Sequence, residues 1–273
     1  MAMKRPSMER HYENLERIKR LRLIDDDFMT KCFEDQIEAT ELLVNVILGV
    51  KWRVLSVSTQ DTIKNLQGRS LRLDIHALAE NGRDVNIEIQ RQDKGAAPKR
   101  ARYHSSILDA NALFSGEDFD RLPETYVIFI TENDVLGLGK QVYAIERMVA
   151  GENLPFGDGA HIVFVNSQIR DDTPIGRLMH DFYCPSADDM YYGILSERVR
   201  HFKETEEGVA AMCKIFEEVR AEGREEGREE GRAEGREAGI AVMVCNLLKA
   251  GTPMEYIRKA SGWPDEKILK LQY

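Results

Sequence analysis
The chain has 273 residues, of which 38 are Lys or Arg and 47 Asp or Glu, giving a formal net charge of −9; at 42% hydrophobic and 31% charged it has material for a core beneath a heavily charged surface. No run approaches ~18 consecutive apolar residues and the first twenty lack an apolar leader, so neither a membrane span nor a secretory signal is expected. Cys32, Cys184, Cys213 and Cys245 are scattered, which argues against a zinc knuckle or disulfide framework and fits a reducing cytoplasm, while the acidic balance disfavours a bulk-charge coat on nucleic acid yet permits a local cationic groove.

Residues 1–24 are rich in cations, among them Lys4, Arg5, Arg10, Arg17, Lys19, Arg20 and Arg22. They read as a helical or frayed arm, with phosphate contact as the sharper alternative. Asp25, Asp26 and Asp27 then precede Phe28, Cys32, Phe33, Ile37, Leu42, Leu43 and Ile47, a spacing that predicts one amphipathic helix with acids at its N-terminus and Gly49 as its stop. Residues 52–58 alternate and predict a strand, followed by a polar stretch over 59–70.

The most informative segment is LRLDIHAL (71–78), then AENGRD, then VNIEIQR (85–91). Both flanks alternate with the strand period, and Asn81-Gly82 signals a hairpin. A two-residue loop pairs residues summing to 163 and mixes polar with apolar side chains on each face. A three-residue Glu80-Asn81-Gly82 loop, with Gly82 left-handed, pairs residues summing to 162. It puts Ala77, Ile75 and Leu73 opposite Val85, Ile87 and Ile89, and His76, Asp74 and Arg72 opposite Asn86, Glu88 and Gln90. A one-residue slip exchanges the faces, so the apolar pattern selects the second register. Asp74 and Glu88 are then opposed, with Cβ atoms ~5 Å apart, an arrangement that destabilises a strand pair unless it is solvated or bridged. Two readings follow: an ordinary polar face softened by Arg72 and Arg91, or a site for a divalent cation of the kind carboxylates bind. His76 on that face reads as a bystander, with a general base or ligand as the alternative; His104 and His201 have no local companions.

A basic cluster over 94–102 leads into a helix through Tyr103, Ile107, Leu108 and Leu113, and YVIFI (126–130) reads as a buried strand. The order helix, three strands, helix, strand predicts a mixed α/β sheet with flanking helices. Residues 141–151 look helical and 161–165 strand-like. Residues 195–220 read as one further helix. Glycine then recurs every fourth residue from Gly223 to Gly239 with Arg and Glu between, either a self-associating helix face or a semi-flexible charged linker. Thr252-Pro253-Met254-Glu255 has a capping-box pattern; Gly262 can end that helix and Pro264 can open another. This last unit reads as a helical hairpin for oligomerisation or partner binding, with a helix-turn-helix as the alternative.

LRLDIHALAENGRDVNIEIQRQ, then KRARYHSSIL, then LPETYVIFIT resembles the PD-(D/E)XK nuclease superfamily, in the branch of recombination-promoting nucleases or transposases. Asp27-Phe28 with Lys31 and Phe33 stands loosely at that branch's opening motif. The resemblance implies a restriction-endonuclease-like α-β-β-β-α-β core with a helical C-terminal extension, DNA as substrate, and Mg²⁺, with Mn²⁺ able to substitute. It assigns Asp74 and Glu88 as catalytic metal ligands, with Gln90 where most of the superfamily has lysine. Asp27 is the third-acid candidate, with Glu38 and Glu41 as others. Lys99, Arg100, Arg102 and Tyr103 would contact phosphate, against a surface ion pair for Arg100 and sheet–helix packing for Tyr103. The expected organisation is a basic arm (1–24), a nuclease-like domain (25–205), a charged helical linker (206–239) and a small helical unit (240–273), homo-oligomeric through the C-terminal helices. A non-catalytic DNA-binding or interaction module of the same fold is the competing expectation.

Overall fold
The computed structural model describes residues 5–65, 68–91 and 96–271. Lys4 and Lys94, counted in the two basic clusters, lie outside them. The chain forms two compact units, Met1–Cys213 and Lys214–Tyr273.

In the first unit the basic segment is helical, α1 (Arg5–Arg20). The helix expected over 28–47 is two helices, α2 (Asp26–Phe33) and α3 (Ile37–Leu48). The break falls at Asp35, whose φ of 57° leaves the helical region. The guanidinium of Arg198 donates to the carbonyls of Lys31 and Cys32 and so satisfies the orphan end of α2. Gly49 ends α3 at φ 67°, as its position predicts.

Strand β1 (Val54–Ile63) runs further than its alternation suggested and takes in much of the polar stretch. It pairs antiparallel with β2 (Leu71–Ala79), which pairs antiparallel with β3 (Asp84–Gln90). Ile75 faces Ile87, His76 faces Asn86 and Ala77 faces Val85, the register that sums to 162. The intervening Glu80–Gly82 turn closes with Gly82 at φ 73°. Helix α4 (Pro98–Ala112) then leads to β4 (Thr125–Thr131), parallel to β3.

Residues 141–151, read as helical, instead hold β5 (Val142–Ile145) and the short β6 (Met148–Val149). Val142, Tyr143 and Ile145 favour a strand, and β8 (Ala160–Asn166) offers a free edge that β5 fills antiparallel. β6 pairs only with β7 (Leu154–Pro155). The main sheet thus has the order β1-β2-β3-β4-β8-β5, a mixed sheet with helices packed on it. Against it α4 buries Ala101, Ile107 and Leu108 with Val127, Phe129 and Phe164. Helices α2 and α3 lie against β1, and against α5 (Pro174–Tyr183) and α6 (Gly193–Glu204).

The helix expected over 195–220 is likewise two, α6 and α7 (Glu206–Lys249). Thr205 separates them: its hydroxyl accepts from Gly208 N–H at 3.0 Å, an N-cap bond. A side-chain carbon at Gly208 would collide with the carbonyl of His201, so glycine permits the tight corner.

The glycine-period segment lies within α7, with open space at each of its glycines. In the second unit Val244, Ile257 and Ile268 form a core joined by Ile240, Leu247 and Trp263. The capping box does not form. Thr252 instead donates its N–H to Leu247, beside left-handed Gly251 at φ 74°, and closes the end of α7. Helix α8 (Met254–Ser261) begins after Pro253, Gly262 ends it, and α9 (Asp265–Leu269) follows Pro264.

Candidate active site
The β2–β3 ladder is regular from the turn to Ile75 and Ile87 and then stops. The next pair is Asp74 and Glu88, and their carboxylates take over the backbone bonds. Ile89 N–H donates to Asp74 Oδ2 at 2.8 Å, and Asp74 N–H points at Glu88 Oε1 at 3.4 Å. Two acids therefore sit between strands that they hold open. Glu88 is fully buried.

Burial raises the affinity of both carboxyls for a proton. For Glu88 the neighbouring Asp74 adds to the effect, while Arg100 opposes it. For Asp74 the Ile89 bond works against burial, and Asp26 reinforces burial. Asp26 reaches this position because Arg91, beyond the end of β3, pairs with Asp25 at 2.9 Å and draws the start of α2 toward the open hairpin end. Gln60 on β1 donates to Asp26 at 3.2 Å and to Thr30 at 2.9 Å.

Asp26 thus acts electrostatically on Asp74; Asp27, the sequence candidate, follows it in the same first turn of α2. Glu41 accepts from Val54 N–H at 2.9 Å and anchors the start of β1 instead.

Arg100 Nη2 lies 3.2 Å from Glu88 Oε2 and Nη1 lies 3.4 Å from Gln90 Oε1. The cation that Gln90 cannot carry is supplied from α4. Its Nε donates to His104 at 3.2 Å. His104 is fully buried, and burial together with Arg100 pushes its pKa down to about 4. Arg69, Ser70, Leu71, Arg72, Lys99, Arg100 and Tyr103 line a groove of about 890 Å³. Among the described residues no ion pair joins Arg69, Arg72 or Lys99 to an acid, and Arg72 also acts electrostatically on Asp74. The Tyr103 hydroxyl donates to the Arg69 carbonyl and accepts from Asn65 at 3.1 Å, fixing the groove wall. Arg102 is exposed and does not line this groove.

His76 stands apart from the acid pair. Its Nδ1 lies 3.1 Å from Asp61 and its Nε2 2.8 Å from Asp84. Burial opposes its protonation, but the two carboxylates outweigh burial and raise its pKa.

Sequence reading gave no role to His104 or Asn86, did not single out Arg69, and read Arg72 only as softening the acid pair. The i, i+4 spacing of Arg100 and His104 on one helix face was the available signal for the first. The others needed the strand-to-helix packing and the position of the chain before β2.

Asp74 and Glu88 offer hard carboxylate oxygens with excess negative charge, a donor set that suits a divalent cation. No cluster of three or more His, Cys, Asp or Glu side chains able to hold a metal occurs among the described residues.

Residues 40–167 match the family model described as PD-(D/E)XK nuclease family transposase. The matched span contains β1 through β8, α4 and both opposed carboxylates, and it points to a nuclease- or transposase-related function with DNA as the associated substrate. Nucleases of this kind commonly use divalent metals. No curated protein and no solved structure matches the chain. No described helix is long and apolar enough to cross a membrane.

Proposed function
Taking residues 40–167 as a PD-(D/E)XK nuclease family transposase domain, we propose that the protein is a Mg²⁺-dependent DNA endonuclease that hydrolyses phosphodiester bonds. The observation that carries this reading is the interrupted ladder. The protein holds two carboxylates in a buried gap between strands, where without a cation they repel each other. A divalent ion held by Asp74 and Glu88 would polarise the scissile phosphate and lower the pKa of an attacking water.

The chain's own groups do the rest. Arg100, half-exposed beside Glu88 and Gln90, faces the negative charge that builds on phosphorus oxygens, work that falls to lysine in most of the superfamily. Gln90 holds one guanidinium nitrogen and offers its amide to water or phosphate. Arg69, Arg72 and Lys99 attract the backbone along the groove, which answers how a chain of net charge −9 meets DNA.

Plasmid nicking in Mg²⁺, Mn²⁺ or chelator, beside Asp74→Ala and Glu88→Ala, tests the proposal. Cleavage that needs metal and falls at least ~10³-fold in both variants is expected, the scale of losing an essential catalytic group. Metal-independent DNA binding without cleavage, or wild-type rates in Asp74→Ala, would overturn it.

A further inference from the structure
Arg100 has a forked side chain that could turn to several acceptors, yet its guanidinium is held on three sides. Glu88 takes Nη2, Gln90 takes Nη1, and His104, one turn along α4, takes Nε. Arginine only donates, so His104 Nε2 must present a lone pair and the ring proton must sit on Nδ1. That Nδ1 faces Glu88 Oε1 at 3.5 Å, the oxygen that Arg100 leaves free. It also lies 3.0 Å from the Asn86 amide nitrogen, while Asn86 Oδ1 is buried without a partner. A half-turn of that amide, which gives up its bond to Glu88, offers the orphan oxygen to Nδ1–H. The imidazole is fully buried and packs edge-on to Phe129, with ring centroids 5.5 Å apart. It does not line the Arg69–Tyr103 groove; what it touches is the back of Arg100 and Glu88, with Asn86 and Phe129 beside it.

We propose that His104 is a positioning residue, a buried neutral imidazole in its Nδ1–H tautomer that holds Arg100 by Nε so that both terminal nitrogens face Glu88 and Gln90. The inference rests on the nuclease reading for its consequence but not for its geometry. An arginine that must serve where lysine is absent reaches the site from a helix, on a longer and freer side chain. Fixing Nε removes that freedom before substrate arrives, and catalysis is sensitive to small misplacements.

Two measurements separate the parts. In the wild-type protein at pH 7.5, ¹⁵N imidazole spectra should show His104 protonated on Nδ1 and bare on Nε2. A bare Nδ1 or a doubly protonated ring in the wild type would overturn the proposal, and this arm needs no substitution at His104. In Mn²⁺-supported cleavage, His104→Leu should lower kcat by ~10–100-fold with DNA affinity within about threefold. His104→Gln, which keeps an acceptor near the Nε2 position, should recover most of that loss. On an Arg100→Ala background His104→Leu should add less than about twofold, since coupled residues do not lose activity additively. Full additivity, or Gln no better than Leu, would contradict positioning. A wild type that does not cleave would contradict the nuclease reading itself, and the tautomer would then decide the placement alone.

Discussion
The β2–β3 hairpin carries two polar clusters on one face, separated by a single pleat, and they are solved in opposite ways. Near the turn, His76 sits between Asp61 and Asp84, so two carboxylates share one imidazole that both of them favour charged. The ladder beneath them is continuous. At the open end Asp74 and Glu88 face each other with Asp26 nearby. Among the described residues Arg100 is the only Lys or Arg within ion-pair distance of the pair, the ladder stops, and the protein's own N–H groups are spent on the acids. Balanced charge on a strand pair belongs to structure. Like charge that the fold buries is the arrangement on which the proposed cation site rests.

The contrast can be broken by swapping the clusters' expected sensitivities. The largest effect is loss of cleavage in Asp74→Ala and Glu88→Ala, against a change of less than about threefold in His76→Gln, whose side chain meets only structural partners. An intermediate effect is expected from the groove. Replacing Arg69 and Arg72 together by Ala should weaken DNA binding by ~10-fold or more and reduce the slope of log affinity against log salt by about 2, one for each phosphate no longer neutralised. Gel-shift titrations at several salt concentrations measure it, and an unchanged slope would remove those arginines from the DNA path.

The hairpin register was legible because apolar residues segregate in only one of two alignments, and Gly82 has the left-handed φ that alignment needs. The acid pair followed from it. That the ladder would open there was not legible, because strand alternation describes side-chain direction and says nothing about where backbone bonds are surrendered. His104 was passed over because, apart from Arg100 one turn away, its companions Asn86 and Glu88 are 18 and 16 residues distant and meet it only when α4 docks on the sheet. The broken helices had the same origin: apolar spacing continues through Asp35 and Thr205, and only the packing of α6 against α2 and the corner at Gly208 require the interruptions.

The smallest effect sharpens the structural side. The raised pKa of His76 means that its ion pairs stabilise the fold fully below the ordinary histidine value, near pH 6.5, and fade as pH rises through the raised one. His76→Gln should therefore cost about 1 kcal/mol at pH 6, or ~2–4 °C in Tm, and distinctly less at pH 9. Thermal unfolding at the two values checks the sign, and a cost that grows with pH would contradict it.

Unfolding temperature in Mn²⁺ and in chelator asks whether Asp74 and Glu88 hold a cation. Asp74 and Glu88 have raised pKa values, so in chelator the native state holds protons that the unfolded chain has released. Stability then falls as pH climbs above the ordinary carboxylate range, and a bound cation should restore it. For the wild type and His76→Gln the stabilisation by Mn²⁺ should grow from pH 6 to pH 9. In Asp74→Asn and Glu88→Gln it should largely vanish. An equal response in all four proteins, or none in the wild type, would show that the opposed carboxylates are not a cation site.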